Sequence, residues 1–290
     1  MGLQTRSLTA CCGAEVLGTF LLVFFGCGAV HVAVLTGDLH LFHVALVWAV
    51  AIMLAIYVVA GISGAHINPA ITVALAVWGR FRWADVVPYV LAQLAGAIAA
   101  AVVLFALFGP FLSAREKDKG VTRGEPGSEI TAMCYGEYFP NPGPLSAGGS
   151  RYDRDDHVKR NALVSEPAAC AAEVLGTLIL ALVVFAVTDP RNRAAPGANL
   201  APVFIGLTVA VLIAVIAPLT QACFNPARDF GPRLVARVAG WGDVALPGRG
   251  TGFLTVYILA PVVGAVAGGA LYTCLIRPAL PETEPERTTS

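Results

Sequence analysis

From Leu8 to Phe108 the chain is apolar with few interruptions, and only five charged side chains occur there: Glu15, Asp38, Arg80, Arg82 and Asp85. Similar runs return after residue 166. The stretches 8–35, 41–60, 84–108, 167–188, 201–217 and 253–276 are long enough, or nearly so, to cross a hydrocarbon layer of about 30 Å as helices. None alternates apolar and polar positions with a period of two, so helices rather than barrel strands satisfy their backbone in lipid. Six membrane spans are predicted, in an all-α membrane protein. Polar positions collect at residues 113–166, which hold eight Lys/Arg and nine Asp/Glu with frequent Pro and Gly. That segment is predicted to be a solvated connecting loop.

Composition sharpens the class. Hydrophobic residues make up 57% of the 290 and charged residues 13%, where a soluble domain carries roughly a quarter charged residues. Mean hydropathy is +0.72. Such a chain cannot cover itself with a wettable surface, and the lipid bilayer is its expected solvent. The formal net charge is zero, which gives no reason to expect a nucleic-acid partner. The seven cysteines, at positions 11, 12, 27, 134, 170, 223 and 274, have no paired spacing and sit mostly in apolar runs. Buried free thiols are predicted rather than disulfides or a metal site. No metal-ligand cluster, nucleophile–base spacing or phosphate-binding loop can be read, so neither catalysis nor a cofactor is expected.

The chain repeats itself. Ala14-Glu15-Val16-Leu17-Gly18-Thr19 returns as Ala172-Glu173-Val174-Leu175-Gly176-Thr177, and Asn68-Pro69-Ala70 returns as Asn225-Pro226-Ala227. The offset is 158 residues for the first pair (14 to 172) and 157 for the second (68 to 225). Two motifs that keep nearly one spacing indicate an internal duplication, and they argue against reading the apolar N-terminal stretch as a signal peptide. Each half holds three spans. Because three is odd, the second half enters the membrane from the opposite side, an inverted repeat about an axis in the membrane plane. The predicted organisation is a first half over 1–112, a polar extracellular loop over 113–166, a second half over 167–278 and a cytoplasmic tail over 279–290. Arg6, Arg80, Arg82, Arg191, Arg193 and Arg277 all fall on one side, which makes that side, with both termini, cytoplasmic.

Each Asn-Pro-Ala reads as a helix start, with Asn as the cap and Pro at the first helical position, where its missing N–H costs nothing. The apolar stretch from Ala70 to about Trp78 spans roughly 15 Å, half a bilayer. One such triplet is an ordinary cap. Two at equivalent places of an inverted repeat predict two re-entrant half-helices that meet N-terminus to N-terminus near the midplane. About half a positive charge at each end repels cations there, protons included. The asparagine amides, with their oxygens capping, still have N–H donors for a pore.

These features resemble the aquaporin and glycerol-facilitator channels, the major intrinsic proteins, across the chain outside residues 113–166. The signature stretches are Ser63-Gly64-Ala65-His66-Ile67-Asn68-Pro69-Ala70 and Phe224-Asn225-Pro226-Ala227-Arg228-Asp229-Phe230-Gly231-Pro232-Arg233. The resemblance implies a pore within each protomer of a homotetramer in the cell membrane. It places Trp48, Ile213, Ala222 and Arg228 at the selectivity constriction, with an indole ring opposite a guanidinium that offers donors to hydroxyls. A structural ion pair with Asp229 is the alternative role for Arg228. Asp229, Arg233, Phe108 and the Phe139-Pro140-Asn141-Pro142 stretch look like the glycerol-conducting branch. Ile213 and Ala222 depart from its glycine and phenylalanine, as does Tyr257-Ile258 from its proline and leucine. The four constriction residues together look closer to nodulin-type plant channels.

The resemblance also implies that Glu15 and Glu173 accept hydrogen bonds from the half-helix loops, and that His66 lines the cytoplasmic vestibule. Small residues at four-residue spacing, Ala92, Gly96 and Ala100, and Gly264 through Gly268, predict helix-packing faces. The expected function is passive passage of glycerol, water and other small neutral solutes, with ions and protons excluded. A water-selective pore, or one for urea or metalloid acids, is the alternative. An ion-coupled transporter, which can also use inverted repeats, would need acids lining its substrate site.

Overall fold

The fold begins where Ser7 accepts a hydrogen bond from the Ala10 N–H at 3.2 Å and starts α1, Leu8–Leu35. In this computed structural model residues 7–143, 151–197, 199–247 and 251–281 are described; Arg6 and most of the expected tail lie outside them. Helix α2 is Leu41–Ser63, α3 Pro69–Val77 and α4 Trp83–Lys119. Two short helices follow, α5 Glu129–Ala132 and α6 Arg154–Asn161. Then come α7 Glu166–Val187, α8 Ala201–Thr220 and α9 Pro226–Ala236. The last, α10, runs over Gly252–Ala279. Among the described residues no strand occurs, and six helices (α1, α2, α4, α7, α8, α10) are long and apolar enough to span a bilayer.

Small residues set the packing. A Cβ on Gly96 of α4 would lie 2.2 Å from the Val16 carbonyl oxygen of α1. On Gly264 and Gly268 of α10 it would lie 2.3 and 2.2 Å from the carbonyls of Val174 and Leu178 in α7. The α1–α4 and α7–α10 pairs are therefore backbone-to-backbone contacts of equivalent kind in the two halves, with the expected small-residue faces at their seams. Large apolar side chains such as Val58, Leu107, Val211, Val215 and Leu275 point outward and exposed, as a surface against lipid tails requires.

The connecting segment departs from expectation in two ways. Helix α4 continues past residue 112 to Lys119, where Gly120 closes it in a left-handed conformation at φ 69°. Lys117 and Lys119 in its last turn suit the negative end of the helix dipole. The loop is also not simply solvated: Ile130, Cys134, Tyr135 and Glu137 are each at most 1% exposed. This stretch folds back into the molecule because its apolar residues pack on the bundle, with Tyr135 against His31 of α1 and against Trp241.

Candidate pore and filter

Helices α3 and α9 start as the sequence predicts. The Asn68 side-chain oxygen accepts from the Ala70 N–H at 2.9 Å, and that of Asn225 from Ala227 and Arg228 at 3.1 and 3.3 Å. Each amide nitrogen then reaches across to the other half. Asn68 Nδ2 donates to the Phe224 carbonyl and Asn225 Nδ2 to the Ile67 carbonyl, both at 2.8 Å. The two helix N-termini are thereby tied together, and one N–H of each amide remains for the cavity that both asparagines line.

The backbone just before each half-helix is held in an unfavourable shape. Ala65 and Ile67 in the first half, and Ala222 and Phe224 in the second, have φ between 43° and 63°. Left-handed backbone at residues other than glycine costs about 1–3 kcal/mol each and persists only where surroundings enforce it. The buried glutamates enforce it here. Glu15 accepts from the N–H groups of His66 and Ile67 at 2.9 and 2.7 Å, and from Ser63 and Gln93 side chains. Glu173 accepts from Cys223 and Phe224 N–H at 3.0 and 2.8 Å, and from the Thr220 hydroxyl. Tyr89 and Tyr257 complete the match, donating to the carbonyls of Ser63 and Thr220. Neither tyrosine was paired with the other from the sequence, although the signal is there: Tyr89-Val90-Leu91-Ala92 returns as Tyr257-Ile258-Leu259-Ala260, with Gly96-Ala97 and Gly264-Ala265 at matching distances behind them.

A cavity of about 730 Å³ runs the length of the bundle. Leu39 and His40 line it beside the long connecting loop; Val184 and Thr188 line it at the far end. Trp48, Ile213, Ala222 and Arg228 all line it, as do His66, Asn68 and Asn225. His66 packs its ring against Phe81 and Tyr89. Trp48 and Arg228 are neighbours rather than opposites: the guanidinium carbon lies over the indole ring, 4.5 Å from its centroid. Beneath that ring is Gly26, where a Cβ would come within 2.4 Å of three ring carbons.

Arg228 does not pair with Asp229. Its partner is Glu137, which the sequence reading missed, because the connecting segment has neither period nor repeat to mark one acid among nine. Arg228 also donates to the Tyr135 carbonyl at 3.3 Å. Asp229 instead takes Arg233, at 2.9 and 2.6 Å. That pair grips the backbone of Glu137 from both sides: Asp229 accepts its N–H at 2.7 Å and Arg233 donates to its carbonyl at 2.6 Å. Burial pushes the Glu137 carboxyl up to about 8, against the opposing pull of Arg228.

A bundle of six apolar spans around a continuous cavity, with two capped half-helices tied tip to tip inside it, defines a membrane channel. The comparisons agree. The family model for the major intrinsic proteins matches residues 3–272, and the chain belongs to that family of channels. It is 41% identical to the propanediol uptake facilitator PduF of Citrobacter freundii, over 95% of each chain. It is 38% identical to the glycerol uptake facilitator protein of Pseudomonas aeruginosa, over 98% of this chain and 96% of that one. The X-ray structure of the aquaglyceroporin from Plasmodium falciparum superposes with a TM-score of 0.76 at 25% identity, covering 94% of this chain and 98% of the other.

Proposed function

We propose that the chain conducts glycerol and other short polyols, with water, passively and without ions or protons. The observation that carries this reading is the stretch of cavity at Trp48 and Arg228, where fixed guanidinium donors adjoin apolar walls from Ile213 and Ala222. A polyol needs both, since its carbons lose water at the same point where its hydroxyls need partners. The names of the relatives, glycerol and propanediol facilitators, point the same way. Cation exclusion follows from the two half-helix N-termini and from Arg228. The acids at membrane depth, Glu15 and Glu173, have their oxygens engaged by loop donors, which speaks against ion coupling. By the same family resemblance the protein assembles as a homotetramer in the cytoplasmic membrane, with both termini inside.

Stopped-flow light scattering on proteoliposomes tests the reading. After a glycerol shock, re-swelling is expected to be fast and indifferent to sodium or proton gradients. Fast shrinkage in sucrose without re-swelling in glycerol would instead make it a water pore. Flux that follows an ion gradient would make it a transporter.

A further inference from the structure

Asn68 and Asn225 spend their side-chain oxygens on capping and keep an N–H for the cavity. Two amides at the mouth beside the connecting loop repeat that division, and neither belongs to a signature motif's Asn-Pro-Ala. Gln221 closes α8 in a left-handed conformation, φ 62°, where glycine is the residue free of strain. Its mirrored position by the 157-residue offset (64 to 221) is Gly64, which closes α2 at φ 86°. The second half thus keeps a side chain where the first half has none. The Gln221 side-chain oxygen accepts the Tyr138 N–H at 2.9 Å, and its nitrogen has only a long contact, 3.4 Å, with the Met133 carbonyl. Three residues along the loop, the Asn141 N–H donates to the Pro218 carbonyl at 3.3 Å, one of the α8 carbonyls left over at the helix end. The Asn141 side-chain oxygen accepts the Gly143 N–H at 2.8 Å. Both amides are therefore oriented, with oxygens committed to the loop backbone and nitrogens to spare.

Asn141 and Gln221 are half-buried, and both line the cavity. The Asn141 nitrogen is not sealed in and meets no acceptor among the described residues. A solute entering at this end leaves bulk water for walls that include Leu39, Leu41 and Met133. Each hydroxyl oxygen that passes them gives up donors it had in water, at a cost unless others take their place. An amide N–H is such a donor, and the guanidinium of Arg228 and the two asparagines offer the same kind of group further in. We infer that Asn141 and Gln221 form an outer donor site, which takes the hydroxyl oxygens of a polyol as it sheds water at the mouth. The site deepens the polyol reading and rests on it. A solute with more hydroxyls to strip of water depends on it more.

The test uses two variants that suit the backbone as it stands. Asn141→Ser keeps an oxygen for the Gly143 N–H and loses the nitrogen. Gln221→Gly fits φ 62° without strain and loses the whole amide. Osmotic water permeability and re-swelling in glycerol and in 1,2-propanediol are measured in proteoliposomes for each variant, the double variant and the unaltered protein. Each single change is expected to lower glycerol permeability relative to water about threefold, and the two together about tenfold, a loss of about 1.4 kcal/mol. The diol, with one hydroxyl fewer, should lose less. Equal losses for glycerol, diol and water would make the two residues loop anchors and overturn the inference. A loss with Gln221→Gly alone would trace to the freed Tyr138 N–H and overturn it too. If the unaltered protein passes no glycerol, the polyol reading fails and the inference falls with it. If it passes glycerol and the variants leave the ratios unchanged, the inference alone falls.

Discussion

At the scale of single residues the pore is defined by what stands behind its lining. Trp48 owes its position to Gly26, because no side chain fits between the indole and α1. Gly26→Ala places a methyl 2.4 Å from three ring carbons, so the ring must tilt towards the cavity or α1 must move. Overpacking of this kind costs about 1–3 kcal/mol. The expected outcome is a several-fold drop in glycerol permeability with a smaller drop for water, and a shifted tryptophan emission. Unchanged glycerol flux would mean that the ring can move outward without narrowing the path. The motif residues were legible in the sequence because duplication printed them twice. Gly26 was not, since a glycine in an apolar helix has many reasons to exist and its neighbour in space is 22 positions away (26 to 48).

At the scale of elements, the question is what fixes each half-helix and the segments that carry it. Helix ends and span count were legible, because caps, prolines and apolar length act locally. The folding-back of the connecting loop was not, because its anchors, Asp229 and Arg233, lie far away in sequence. The same is true of the face opposite that loop, where Asp189 joins Arg80, just after α3, to Arg277 at the end of α10 at 3.2 and 3.0 Å. Burial alone would raise the Asp189 carboxyl, but the Arg191 N–H and the two guanidinium groups outweigh it and hold it below its ordinary value. A carboxyl depressed in the folded state contributes stability above its unfolded pKa, about 3.9, and loses it as pH falls through the lower folded value. The arginines are 23% and 43% exposed, so the contribution is modest, about 1–2 kcal/mol. Thermal unfolding in detergent should therefore show Asp189→Asn less stable than the unaltered protein near neutral pH. The gap should close only at strongly acidic pH. A gap that persists there would assign the loss to packing rather than to charge.

At the scale of the whole molecule, the two halves are alike in scaffold and unlike in chemistry. The glutamate, tyrosine and asparagine contacts match half for half. The proposed constriction does not. By the 157-residue offset of the Asn-Pro-Ala motifs (68 to 225), Arg228 has Ile71 as its counterpart, Ala222 has Ala65, Ile213 has Ile56, and Trp48 has Ile205. All four counterparts also line the cavity, and none carries a charge or an aromatic ring. The cavity thus has two mirrored stretches of wall, and the sequence puts a charge and an aromatic ring only in the one beside the connecting loop, where Glu137 pairs with Arg228. Selection should then be one-sided. Trp48→Ala combined with Ile213→Ala is expected to admit longer polyols, such as erythritol and xylitol, at rates approaching that of glycerol. Ile205→Ala combined with Ile56→Ala opens the mirrored positions, by less volume than the first pair, and should leave the order of solutes as it was. Re-swelling rates across a polyol series, normalised to protein incorporated, read both. If the mirrored pair widens the range as much as the first, selectivity is a matter of bore along the whole cavity. If only the first does, the inverted repeat has kept its symmetry for building the pore and broken it for choosing the solute.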